Sequence, residues 1–113
     1  MSDCLFCRIV AGEIPATVVL DTDRVLAFRD ISPQAPVHVV VIPKEHHADV
    51  AELSAADPGL AGELMASASA VASGEGLDEG FRVVLNTGAH GGQTVFHVHA
   101  HVLGGRSLGW PPG

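Results

Sequence analysis

"TVFHVHAHVL", residues 94–103, alternates histidine with small apolar residues through its second half. In an extended strand every second side chain lies on the same face. His97, His99 and His101 therefore share a face, with neighbours about 6.6 Å apart at ~3.3 Å rise per residue. Val98, Ala100 and Val102 point the other way, toward a core. The stretch reads as a β-strand with one chemical face and one buried face.

Working outward from this strand, "NTGAHGGQT" (86–94) is a glycine-rich loop, and "GFRVVLN" (80–86) before it is a second strand. Upstream, "SAADPGLAGELMASASAVASGEG" (54–76) is the one long helical pattern. Leu60, Leu64, Ala68 and Val71 recur at helical spacing over a body of Asp57–Ser73, and Gly74 and Gly76 close it. "VHVVVIP" (37–43) is the strongest strand signal, rich in β-branched residues and ended by Pro43. "SPQAP" before it is a proline-punctuated loop. Thr17–Leu20 and Val25–Arg29 form a hairpin across "DTD". "CLFCRIVAG" (4–12) is a short helix stopped by Gly12, and the tail "GGRSLGWPPG" suits neither helix nor central strand. The order predicts an α+β fold, a mainly antiparallel five-stranded sheet with one long helix and a short N-terminal helix.

The composition sets limits on function. The 113 residues fit one domain, 1–113, and 47% hydrophobic residues fill one core. A net charge of −7 excludes a non-specific grip on DNA or RNA but leaves a small anionic ligand open. No apolar run approaches the roughly 20 residues that span a bilayer, and the N-terminus lacks the basic start of a signal peptide. The expectation is a soluble cytoplasmic protein without nucleic-acid polymer or membrane partners.

Imidazole serves as nucleophile, as acid or base near neutral pH, or as metal ligand. Positions i and i+4 of a strand stand about 13 Å apart. One ion with bonds near 2.1 Å therefore cannot take all three histidines of the motif. A nucleophile with helpers accounts for them better. The preceding loop supplies glycines for close backbone approach and Gln93 and Thr94 as side-chain donors, the composition of a phosphate cradle.

"DISPQAPVHVVVIPKEH", "GGQTVFHVHAHVLGGR" and the closing "WPPG" together resemble the histidine triad (HIT) family, in its Hint branch, over nearly the whole chain. The resemblance implies a HIT-like fold whose sheet continues across a homodimer. It implies that His99 attacks the α-phosphorus of a nucleotide, giving a nucleotidyl-histidine that water hydrolyses. His101 would sit at the phosphate and His38 behind the nucleophile; Gly92, Gln93 and Thr94 would meet the phosphoryl oxygens. Thr94 stands where this branch more often has serine. Asp30 and Ile31 would contact the ribose, Phe6 and Ile9 would wall the base, and Asn86 would reach the phosphate side. From the residues alone, Phe6 and Ile9 read equally well as core, and Asp30 as a turn cap.

"CLFC" allows a metal site or a redox pair in a reducing compartment. The thioredoxin-like βαβ context of the redox motif is missing. By resemblance to the zinc-binding microbial members, Cys4, Cys7, His46 and His97 would hold zinc, with the adjacent His47 as a competitor for His46. The resemblance also places Trp110 at the dimer. The implied activity is cleavage of the P–N bond of purine nucleoside 5′-phosphoramidates, releasing a nucleoside monophosphate. The alternatives are a dinucleoside polyphosphate hydrolase of the Fhit type and a nucleotide-binding regulatory module.

Overall fold

The computed structural model describes residues 3–113. Its elements are α1 (Leu5–Val10), β1 (Val18–Asp21), β2 (Val25–Arg29), β3 (Val37–Pro43), α2 (Val50–Ala56), α3 (Pro58–Gly74), β4 (Phe81–Val84) and β5 (Ala100–Gly104). The five strands form one antiparallel sheet in the order β1-β2-β3-β5-β4, the predicted α+β arrangement. Thr22 turns the first hairpin, its backbone N–H and hydroxyl both bonded to Val25.

Side-chain alternation sorts the sheet into two faces. Val25, Ala27, Val39, Val41, Ala100 and Val102 pack against Leu60, Leu64, Ala68 and Val71 of α3. Leu26, Phe28, Val40 and Ile42 point the other way and pack under Phe6 of α1. Burial of each large aliphatic side chain contributes roughly 1.5–3 kcal/mol. Truncating Leu64, 1% exposed at the centre of the helix-side core, would cost about 2–5 kcal/mol. The second face matters for function. His38 precedes Val40 by two residues, and His101 is the register partner of Val40, so both imidazoles stand on the α1 face.

Two expectations need correction. The helix expected over Asp57–Ser73 is α3, but it is not the one long helix of a continuous pattern: an unexpected helix, α2, precedes it and the two meet at Asp57. The Asp57 N–H donates to the Leu53 carbonyl and closes α2, while its carboxylate accepts the Leu60 N–H at 3.0 Å and opens α3. Pro58 has no N–H to continue α2 but suits the first turn of a new helix. Asp49 caps the start of α2, with Glu52 in its first turn. Asp49 accepts the Glu52 N–H, and Glu52 reaches back to the Ala48 N–H, in the manner of a capping box.

The strand expected over 94–103 joins the ladder only from Ala100. Beyond the Val41–Ala100 pair, β3 runs into Pro43, which has no donor for a ladder. The Val98 N–H instead donates to the His47 carbonyl at 2.7 Å. Alternation survives without the ladder, since Val98 belongs to the helix-side core and His97 and His99 lie near Phe6 on the other side.

Candidate active site and zinc site

Three imidazoles form a chain whose tautomers the backbone fixes. The Nδ1–H of His99 donates to the His97 main-chain carbonyl at 2.8 Å, so Nε2 of neutral His99 carries the lone pair. On the other side, the Gln34 N–H donates to Nδ1 of His38 at 3.0 Å. Neutral His38 then bears its proton on Nε2 and donates to Nδ1 of His101 at 2.8 Å. The His101 proton is thereby placed on Nε2. The ring of His101 stands 4.9 Å from that of His99, centroid to centroid, and is inclined to it by 73°. A lone-pair nitrogen and an N–H donor thus stand side by side.

Burial disfavours the charged forms of His101 and His38. It pushes His101 down to about 4, helped by the neighbouring His99 and His38. It also lowers His38, against the opposing pull of the Asp30 carboxylate. Near neutral pH His101 therefore presents a neutral N–H.

The loop residues divide by role. Gly92 and Thr94 are exposed at the tip, free of the core and available to a ligand. Gly92 has φ +85°, a conformation open chiefly to glycine. Gln93 is different. Its side chain is buried, accepts the Gly88 N–H at 3.0 Å and donates to the carbonyls of Ala48 and Val95. Its backbone N–H donates to the Gly88 carbonyl. The expectation of Gln93 as a side-chain donor to phosphate is corrected accordingly. Gln93 shapes the loop, and all its amide atoms already have protein partners.

Of the residues expected to contact a nucleoside, Ile31 is fully exposed, an apolar side chain with no core to fill. Asp30 serves two ends: one carboxylate oxygen accepts the Ser32 N–H at 2.8 Å, and the other lies 3.5 Å from Nε2 of His38. The turn cap and the carboxylate facing His38 are the same side chain. Phe6 is buried and meets the ring of His99 edge-on at 5.1 Å, with Ile9 half-buried beside that cluster. Asn86 is half-buried at the end of β4. A cleft of about 570 Å³ lies elsewhere, between the α3–β4 turn and Gly105–Ser107, and no histidine lines it.

Cys4, Cys7, His46 and His97 converge, their ligand atoms all within 4.8 Å of one another. Nδ1 of His97 lies 3.4 Å from Sγ of Cys4, 3.5 Å from Sγ of Cys7 and 3.1 Å from Nδ1 of His46. Cys7 Sγ and His46 Nδ1 are 3.4 Å apart. The edges of a tetrahedron with Zn–S near 2.3 Å and Zn–N near 2.05 Å are roughly 3.3–3.8 Å. The four donors therefore fit zinc in type and spacing. The Nε2–H of His97 donates to the Pro43 carbonyl at 2.8 Å, which leaves Nδ1 as the ligand nitrogen. The adjacent His47 turns away to Glu45 at 2.7 Å, which settles the choice in favour of His46. His97 is fully buried and pushed down to about 4, chiefly by that burial, in keeping with a neutral ligand.

Residues 11–108 match the HIT domain family. The chain belongs to the HIT family. A HIT family hydrolase from Legionella pneumophila superposes with a TM-score of 0.94 at 49% identity, over 98% of this chain and 100% of that one. A 14 kDa zinc-binding protein of Brassica juncea is 49% identical over 98% of this chain and all of its own length. Adenylylsulfatase HINT1 of Arabidopsis thaliana is 49% identical over 99% of this chain and 78% of its own. These matches place the chain among HIT family hydrolases, and the zinc-binding relative agrees with the donor set found here. In this HIT protein three contributors escaped the sequence reading: Gln34, Pro43 and His47. Each acts through a main-chain N–H or carbonyl, which leaves no mark on residue type.

Proposed function

We propose that the protein hydrolyses the P–N bond of purine nucleoside 5′-phosphoramidates through a nucleotidyl group on His99. The observation that carries the proposal is the bond from His99 Nδ1–H to the His97 carbonyl, which leaves Nε2 unprotonated. In the first step the Nε2 lone pair forms a bond to the α-phosphorus. The P–N bond to the leaving amine breaks, and the amine keeps the electron pair and takes up a proton. In the second step water adds to phosphorus, the His99–phosphorus bond breaks, and a nucleoside monophosphate leaves. His101 Nε2–H, Thr94 and the Gly92 backbone stabilise the phosphoryl oxygens as charge grows on them. Asp30 and Ile31 take the ribose, Phe6 and Ile9 bound the base, and Asn86 lies toward the phosphate.

The preference for P–N follows from charge. A polyphosphate leaving group needs cations to receive it. Arg106, the arginine that closes the "HVLGGR" stretch, is tied to the carbonyls of Gln34 and Ser107. An amine leaving group needs only a proton.

Two further features belong to the same reading. Zinc on Cys4, Cys7, His46 and His97 ties α1 to the sheet, in a reducing cytoplasm that keeps both cysteines as thiols or thiolates. The protein works as a homodimer: β4 is an edge strand, and Phe81 on it and Trp110 are exposed apolar surface suited to a second copy. Among the described residues, no helix is long and apolar enough to cross a membrane.

A side-by-side assay of an adenosine phosphoramidate, adenylyl sulfate and a dinucleoside tetraphosphate tests the proposal. The phosphoramidate is expected to lead the tetraphosphate by at least tenfold in kcat/KM, about 1.4 kcal/mol in barrier. Equal or reversed preference would move the protein to the polyphosphate-cleaving alternative. Faster turnover of adenylyl sulfate would align it with the activity for which the Arabidopsis relative is named.

A further inference from the structure

The metal ligands and His99 are joined at three points. His97 is the first. Its Nδ1 faces the cysteines and His46, while its main-chain carbonyl accepts the His99 Nδ1–H at 2.8 Å. The pair His46–His47 is the second. His46 faces the metal position, and the His47 carbonyl accepts the N–H of Val98, the residue between His97 and His99. Phe6 is the third. It lies between Cys4 and Cys7 on the segment they anchor, and its ring meets His97 at 5.9 Å and His99 at 5.1 Å, both edge-on.

The tautomer gives this junction chemical weight. A histidine side chain in water favours the Nε2–H form. Attack through Nε2 requires the other form, and the His97 carbonyl selects it. A carbonyl displaced or rotated by a fraction of its bond length would lose that selection, because hydrogen bonds weaken steeply with misalignment.

We propose that the zinc site is a positioning device for His99 as well as a staple for the fold. Ligation through Cys4, Cys7, His46 and His97 fixes the His97 carbonyl and the Phe6 ring, and so holds His99 in its Nδ1–H tautomer. The inference rests on the assignment of His99 as nucleophile for its functional meaning, but its physical content is the tautomer itself. The tautomers of His38 and His101 are set from the other side, by the Gln34 N–H.

The test uses the full chain with ¹⁵N-labelled histidine and two-bond ¹H–¹⁵N spectra. With one equivalent of zinc, His99 is expected as a single Nδ1–H tautomer. After chelation, its ring nitrogens should shift to the average of a mixture, while those of His38 and His101 keep their pattern. Turnover should fall at least fivefold with the dissociation constant of AMP changed less than twofold. A folded, zinc-free protein whose His99 tautomer is unchanged overturns the proposal. Should chelation unfold the chain, cadmium replaces zinc: the larger ion should move the His99 signals and spare those of His38 and His101. Unmoved His99 signals would again refute the coupling. Failure of the nucleophile assignment reads out separately, as an adduct on another residue with the metal-dependent tautomer intact.

Discussion

Nε2 of His38 and Nδ1 of His101 lie 2.8 Å apart, and the proton between them belongs to His38. The Gln34 N–H decides this by occupying the other nitrogen of His38. A single backbone donor in the "SPQAP" loop thereby sets which nitrogen of neutral His101 carries its proton.

His38→Ala removes that selection without touching the nucleophile. We expect kcat to fall about tenfold to a hundredfold, ~1.4–2.7 kcal/mol in barrier, with a smaller change in the affinity for AMP. Steady-state kinetics with AMP titration checks it. Unchanged kcat would show that His101 finds its tautomer without His38.

The acid side of stability carries a signature of His101. Its folded value is about 4 against an ordinary 6.5, chiefly because it is buried. Between these values the unfolded chain binds a proton that the folded chain refuses. The contribution is therefore whole above pH 6.5 and is lost as pH falls toward 4, with a slope of at most ~1.4 kcal/mol per pH unit. Urea midpoints of wild type and His101→Gln, measured from pH 7 to pH 4.5, compare the slopes. The variant should decline less steeply, and parallel curves would contradict the assignment.

Gln93 and Gly91 hold the loop in different ways. Gln93→Ala leaves the Gly88 N–H and the carbonyls of Ala48 and Val95 without their side-chain partner, at a cost of about 1–3 kcal/mol. Gly91→Ala drives a Cβ into the backbone of Thr87, carbonyl oxygen first, so the loop must shift. Both variants should weaken AMP binding, and Gln93→Ala should also lower the urea midpoint. Binding by Gly91→Ala at wild-type affinity would remove the loop from the phosphate site.

Much of this architecture was legible in residue type. β-Branched content in "VHVVVIP" and alternation in "HVHAHVL" placed two strands, and the alternation placed the face that bears His97, His99 and His101. It overstated the second strand, because alternation reports which side is buried and cannot report whether a neighbouring strand is present. Val98 keeps its core position while bonding to His47 rather than to a ladder. The start of the long helix at Asp57 was legible in "ADPG", whereas α2 before it was not, because its seven residues bury only Leu53 and carry no apolar periodicity to read. The zinc donors were legible by type, but the choice of His46 over His47 depended on Glu45 and Glu52 drawing His47 aside. The carbonyls of His97, Pro43 and His47 are features of the folded backbone alone.

Attack by His99 is the centre of the account. The most direct measurement mixes the protein with an adenosine phosphoramidate, quenches within the first turnover without acid, and maps the modified peptide by mass spectrometry. The account predicts an adenylyl group on His99, and none in His99→Ala, which should still bind AMP. An adenylyl group on His97 or His101, or full turnover by His99→Ala, would contradict it.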